Sequence, residues 1–376
     1  MSIYLDNAAT TKPCSEAVSA IISAMNDNYG NPSSLHRAGL EAQLVVDRSR
    51  KIIAGSIGCE PENIIFTSGA TESNNLALKG IAAAYGRRKK RIVVSSVEHP
   101  SVAETASELE KNGFEVVRVS PGKDGSFSSS DFVNACDENT FLISMMLVNN
   151  ETGYILPVKE AFAAVKRRFP EIITHCDCVQ GYMKLPIKAS ALNADLISLS
   201  GHKVHAAKGI GALYIKKGVR VAPIIMGGKQ EKGIRSGTES VPLIAGFGAA
   251  VEKLRSTVSE RYERAAQLKS RLLAELGKID GILVNSPDDA SPYIINISAV
   301  GRRSEIMLHF LEQKGIYVSS GSACSKGAQS GVLSEFGIDV KRADSAVRIS
   351  ITAETSVDEL LELSAAVCEG MAKIRA

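Results

Sequence analysis

Leu196-Ile197-Ser198-Leu199-Ser200-Gly201-His202-Lys203 starts as an apolar, strand-like run, closes on a glycine turn and delivers a lysine just past a buried strand end. Six further strand candidates can be placed around it, at 64–67, 91–95, 115–119, 141–148, 172–176 and 211–215, the central run itself being placed at 195–199. Helical patterns at 15–25, 38–57, 73–84, 102–111 and 158–169 separate them. This alternation predicts an α/β fold with a largely parallel sheet flanked by helices, in which ligands collect where strands end. Val251, Leu254, Val258, Tyr262, Ala265, Leu268, Leu272 and Leu276 then keep one apolar stripe, which predicts a single long helix leading into a smaller α+β domain. The expected division is a large domain over 15–260 and a small domain built from 1–14 and 261–376.

Size and composition agree with two domains: 376 residues, of which 44% are hydrophobic and 23% charged. A formal charge of +3 argues for neither nucleic acid nor membrane as partner, and Arg87-Arg88-Lys89-Lys90-Arg91 reads as a solvated loop. The first residues lack an export signal, and no apolar run reaches spanning length. Seven cysteines, odd in number and scattered, point to free thiols in a reducing compartment, so the expected location is cytoplasmic.

Several candidate site residues fall at strand ends. A lysine at position 203 can be desolvated, which frees its amine to attack an aldehyde. Asp177 ends another apolar run, with Gln180 three residues on; a buried carboxylate there can hold a proton on a pyridine nitrogen. Thr67-Ser68-Gly69-Ala70-Thr71-Glu72-Ser73 joins a strand to a helix opening near Ser73, a place suited to phosphate. His99, in Glu98-His99-Pro100, points to the same rim and can stack on a ring or shuttle protons. Each feature alone admits a plainer reading: a solvated lysine, an Asp N-cap, a capped turn, a structural histidine. Together they read as one site. Cys324 stands in Ser319-Ser320-Gly321-Ser322-Ala323-Cys324-Ser325-Lys326-Gly327, too small-residue-rich to pack a core, and is expected on a mobile exposed loop. Cys59, Cys136 and Cys368 sit among apolar neighbours and read as buried thiols. Cys176 and Cys178 read as packing residues, because no second ligand pair stands at zinc-like spacing.

These stretches, with Tyr4 through Thr11, Gly30-Asn31-Pro32-Ser33, Val148 through Gly153, Arg235-Ser236-Gly237-Thr238 and Val347-Arg348-Ile349-Ser350, occur in the order found in one family. The chain resembles the cysteine desulfurases of the NifS/IscS type, within the class-V aminotransferases and the fold-type-I pyridoxal-phosphate enzymes. The resemblance implies pyridoxal 5'-phosphate held as a Schiff base on Lys203, which would also move the Cα proton. It implies that His99 stacks on the ring, Asp177 pairs with its nitrogen and Gln180 contacts its phenolic oxygen. Ala70, Thr71, Ser200 and His202 would hold the phosphate, with Thr238 reaching over from the second subunit of a homodimer. Asn150 would line the cofactor side, and Arg348, Asn31 and Asn150 would clamp the carboxylate of L-cysteine. Cys324 would take the sulfur as a persulfide, leave alanine, and pass the sulfur to an iron–sulfur scaffold of the IscU/NifU kind or a tRNA-thiolation protein.

Two departures stand out. Ala206-Ala207 replace the family's usual Gly-Pro after the lysine, which bears on the local backbone path, and the segment after Cys324 is slightly short. Rival readings are a selenocysteine lyase, another class-V aminotransferase or β-lyase on the same lysine, a non-catalytic delivery subunit, and a metal-thiolate protein.

Overall fold

The computed structural model describes residues 2–320 and 331–374. Its strands are β1 (Ile3–Tyr4), β2 (Ile64–Thr67), β3 (Arg91–Ser95), β4 (Glu115–Val119), β5 (Thr140–Met146), β6 (Ile173–Asp177), β7 (Leu196–Ser200), β8 (Gly211–Ile215), β9 (Ile282–Val284), β10 (Ile294–Ala299), β11 (Ile316–Tyr317) and β12 (Ala346–Ser350). β2 to β8 form one seven-stranded sheet in the order β2-β8-β7-β6-β5-β3-β4. The pairs among β7, β6, β5, β3 and β4 are parallel, whereas β8 runs antiparallel to β7 and β2. Two reversals leave β2 parallel to β7, so the carboxyl ends of β2, β3, β5, β6 and β7 share one edge. That edge is where a doubly covered sheet collects ligands.

The strands were readable because β5, β6, β7 and β8 are buried along their whole length, so both faces demand apolar or paired residues. Helices α1 (Ser15–Asp27), α2 (Arg37–Ile57), α3 (Ala70–Tyr85), α4 (Pro100–Lys111), α5 (Ser129–Ala135), α6 (Val158–Arg168) and α7 (Ala189–Leu192) fill the connections or cover the sheet. α3 opens three residues earlier than the pattern at 73–84 suggests, because its first turn is too polar to show periodicity; this places Ala70 and Thr71 inside the first turn.

The single helix expected through 251–276 is in fact two, α8 (Val241–Leu254) and α9 (Val258–Leu276). The N–H and Oγ1 of Thr257 both bond the Leu254 carbonyl, at 3.1 and 3.2 Å, closing α8 before α9 begins. An apolar stripe cannot reveal such a break, since Leu254, Ala265, Leu268, Leu272 and Leu276 are buried on both sides of it. β10 pairs with β9 and β12, and β1 pairs in parallel with β11, so the amino-terminal residues lie beside the carboxyl-terminal third.

Gly211, where β8 begins, lies directly beneath the β2–α3 turn. A Cβ there would come within 2.7 Å of the Gly69 carbonyl carbon and of the Leu199 oxygen, both backbone atoms that cannot swing aside. Gly211→Ala should therefore lower stability by roughly 1–3 kcal/mol, the usual cost of overpacking. An unchanged urea midpoint would show that the turn is looser than these distances imply.

Candidate active site

Lys203 closes the short 3-10 turn Gly201–Lys203 that follows β7. Its Nζ donates to the carbonyls of Ala8 at 2.6 Å and Ala9 at 2.7 Å. Burial, then Arg348, lower this amine to about 8 against the opposing pull of Asp6 and Asp177. The Ala206-Ala207 departure leaves the turn intact: the N–H groups of Val204 and Ala206 both reach the Gly201 carbonyl. His205 takes a left-handed φ of 61° there, held by its N–H to Thr11 Oγ1 and by its carbonyl, which accepts from Cys14.

Asp177 is the last residue of β6 and buried, its Oδ1 accepting the Val179 N–H at 2.9 Å. Its Oδ2 accepts from Asn74 Nδ2, and the same amide nitrogen reaches Ser101 Oγ, both at 2.8 Å. His99 caps α4. Its Nδ1 accepts the Ser101 N–H at 3.1 Å, which assigns a neutral ring's proton to Nε2. His99 is exposed by surface area yet closely surrounded, and desolvation lowers its pKa, Asp177 opposing and Lys203 adding.

The turn between β2 and α3 is braced from within. Glu72 accepts the Ser68 N–H at 2.7 Å and an Arg235 bond at 2.9 Å, while Thr67 and Ser73 join hydroxyls at 2.8 Å. This leaves the first-turn N–H groups of Ala70 and Thr71 as the unspent donors of a helix start. Ser200 Oγ is buried and has no hydrogen-bond partner among the described residues. His202 is held neutral, its pKa pushed down to about 4 by burial and then by Lys203, Lys208 and Lys184.

Arg348, on β12, is buried and donates to Asp6 Oδ1 at 2.8 Å and to the Asn150 carbonyl at 2.9 Å. Asn149 shapes that loop, its Oδ1 accepting the N–H groups of Glu151 and Thr152. Gln180 is buried, with Nε2 on the Ala8 carbonyl at 2.9 Å. The structure therefore gathers Lys203, Gln180, Arg348 and Asn150 into one linked network, with Asp177, Ser200, His202, His99, Ala70 and Thr71 on the same edge. Asn31 and Thr238 are exposed, and none of the described hydrogen bonds ties either to this network. Cys324 lies outside the described residues. Cys368 is exposed rather than buried, since it falls on the outer face of helix Val357–Lys373. Cys176 and Cys178 are buried, with sulfurs 3.4 Å apart, and no three-residue metal cluster occurs among the described residues.

Sequence reasoning missed Asn74, Asp6 and the state of Glu98. Glu98 Oε1 accepts from Ser95 Oγ at 2.5 Å and the Met146 N–H at 2.6 Å, while Oε2 is buried without a partner among the described residues. Burial pushes its carboxyl up to about 8; the Ser95 bond lowers it, the Asp177 charge raises it, and the Met146 bond lowers it.

The aminotransferase class-V family model matches residues 3–363. A protein named cysteine desulfurase IscS from Methanosarcina thermophila is 39% identical over 96% of this chain and 91% of its own. A solved structure titled NifS-like protein is 35% identical with a TM-score of 0.94, covering 99% of this chain and 100% of that one. Another, titled SspA in complex with cysteine, is 33% identical with a TM-score of 0.84, covering 94% and 100%.

Two measurements probe this electrostatic layout. Lys203 should acylate with limiting acetic anhydride along a pH curve centred near 8, against the ordinary 10.5, followed by peptide mass analysis; a midpoint near 10 would mean the amine is not desolvated. Glu98 keeps its proton in the folded chain while the unfolded chain loses it above about 4.5, so its contribution to stability falls as pH rises from 4.5 toward 8. Glu98→Gln should remove that slope, up to about 1.4 kcal/mol per pH unit. The variant should be the more stable at pH 8 and converge with the parent near pH 5, and a gap independent of pH would refute the assignment.

Proposed function

The chain belongs to the class-V aminotransferase family and within it is a cysteine desulfurase of the NifS/IscS type; we propose that it converts L-cysteine to L-alanine and passes the sulfur through Cys324 to an acceptor protein. The observation that carries the reading is the convergence of the desolvated amine of Lys203 and the carboxylate of Asp177, at the sheet's edge, with the guanidinium of Arg348 from β12.

We infer that the cofactor is pyridoxal 5'-phosphate, and the residues fit it. The partnerless Ser200 hydroxyl and the first-turn N–H groups of Ala70 and Thr71 suit a phosphate, with His202 beside them. Lys184, Lys203 and Arg348 outnumber the nearby carboxylates Asp6 and Asp177, a surplus that suits an anionic ligand. Asp177, oriented by Asn74, would face the ring nitrogen, Gln180 the phenolic oxygen and His99 the ring face. When bound, the group supplies an electron sink for an amino acid that has lost its Cα proton.

The chain's own residues do the remainder. Lys203, near 8, can take and return a proton at Nζ close to neutral pH. Arg348, fixed by Asp6 and the Asn150 carbonyl, would grip the substrate carboxylate, with Asn150 and Asn31 assisting. The Cys324 thiolate would attack the substrate sulfur: a sulfur–sulfur bond forms, the carbon–sulfur bond breaks, and its electron pair stays with the carbon that becomes alanine's methyl group. Both approaches to the cysteine segment are rooted at the site. Ser319 exchanges backbone hydrogen bonds with Arg348 at 3.1 and 2.6 Å, and Glu335 accepts from Ser96, just past β3, at 2.6 Å.

A homodimer belongs to this reading. It is supported by exposed Thr238 and by the apolar residues Val18, Ile22, Met25, Leu40 and Leu44 left uncovered on α1 and α2. The domain division at 15–260 against 1–14 with 261–376 is supported by the β1–β11 pairing. No helix among the described residues is long and apolar enough to cross a membrane. The cytoplasmic location is supported by the free thiols of Cys14, Cys59, Cys136, Cys176, Cys178 and Cys368. An iron–sulfur scaffold or a tRNA-thiolation protein is the proposed acceptor.

Incubation with L-cysteine should add the mass of one sulfur to the peptide holding Cys324 and release alanine. Cys324→Ala should lose both, by about a thousandfold or more in rate, as removal of a covalent nucleophile does. Sulfide release from that variant at the parental rate would refute the mechanism.

A further inference from the structure

Lys184 has no part in the chemistry above, yet it is a lysine about nine-tenths buried, four residues beyond Gln180. No carboxylate pairs with it among the described residues. Its Nζ lies over the Tyr293 ring, 5.9 Å from the centroid, and donates to Gln180 Oε1 at 2.9 Å. Gln180 Nε2 in turn donates to the Ala8 carbonyl at 2.9 Å, and that same carbonyl receives the Lys203 amine at 2.6 Å.

A side-chain amide has one accepting end and one donating end of nearly equal size, so its orientation is set by what it meets. A donor at Oε1 leaves Nε2 only one way to face. A buried cation costs stability unless something uses it, and here its bond is directed at a single amide oxygen. We propose that Lys184 is a positioning residue: it locks the Gln180 amide with Nε2 turned toward the Ala8 carbonyl, and through that shared carbonyl fixes where the Lys203 amine rests. The inference rests on the reading that Gln180 contacts the phenolic oxygen of bound pyridoxal phosphate.

The test uses the full-length holoenzyme and the pH titration of its visible absorption band, which reports the proton shared by Lys203 and the bound cofactor. Lys184→Met keeps the stem and removes the donor; Gln180→Ala removes the amide. Each should raise the titration midpoint by about one pH unit, because a phenolate that loses a hydrogen bond holds that proton longer. The double variant should rise no further than the larger single change, since both act through one amide. Lys184→Gln, an uncharged donor, should stay within about half a unit of the parent, and it carries the test if Lys184→Met does not fold. Arg348, Asp6, Asp177, His99 and His202 around the amine, and His205 and Tyr293 beside Lys184, are unchanged throughout. A parental midpoint in Lys184→Met, additive shifts in the double variant, or a Lys184→Gln shift of a full unit would each overturn the proposal. A parent protein that takes up no cofactor would instead overturn the functional reading beneath it.

Discussion

An amine withdrawn from bulk water keeps its need for hydrogen bonds, and Lys203 meets that need with the carbonyls of Ala8 and Ala9. This draws the amino-terminal segment across the end of β7. Thr11 bonds the His202 carbonyl through both its N–H and its hydroxyl, so the crossing is fastened on the far side of the lysine as well. On the near side, Asn7 Nδ2 and the Ala8 N–H bond Ser350, which puts β12 and its Arg348 beside the amine. Three stretches remote in sequence thus meet around one desolvated side chain.

The charge arrangement follows from the same crowding. Lys184, lowered to about 7 by burial, Lys203 and Arg348, and Lys203, lowered to about 8, share this volume with Arg348 and the carboxyl groups of Asp6 and Asp177. Glu98 could have supplied a third negative charge, but its two accepted hydrogen bonds do not outweigh full burial beside Asp177, so it stays protonated below about 8. His202, pushed down to about 4, adds no charge either. Two carboxyls at the same edge of the sheet, beyond β6 and β3 with β5 between them, thereby take different roles, one oriented by Asn74 and the other a neutral brace on the Met146 N–H. What remains is a cationic surplus, the right sign for a phosphate and an amino-acid carboxylate.

Sequence alone exposed the sheet and the strand-end residues, because full burial writes a strand as an unbroken apolar run and leaves polar chemistry at its tip. It could not expose partners that act by geometry. Asn74 sits inside α3 and Lys184 in an irregular segment, and nothing local distinguishes them from ordinary helix or loop residues; their meaning lies in bonds to Asp177 and Gln180. The interruption between α8 and α9 was hidden because both helices bury the same stripe. Cys368 misled because apolar neighbours in a helix say nothing of which face the residue itself occupies.

The segment leading to Thr238 shows where backbone strain is spent. Glu231 and Lys232 both hold left-handed φ angles, 47° and 59°, without being glycine, at a cost of about 1–3 kcal/mol each. Glu231 is buried and receives two bonds from Arg50, at 2.7 and 2.8 Å, and the Phe66 N–H at 2.9 Å, so β2 itself grips the strained turn. Four residues on, Arg235 grips Glu72, which in turn accepts the Ser68 N–H. Both anchors act on the two ends of the β2–α3 turn that bears Ala70 and Thr71. The strained loop and the β2–α3 turn are therefore tied together at two points, and the exposed Thr238 follows three residues after the second of them.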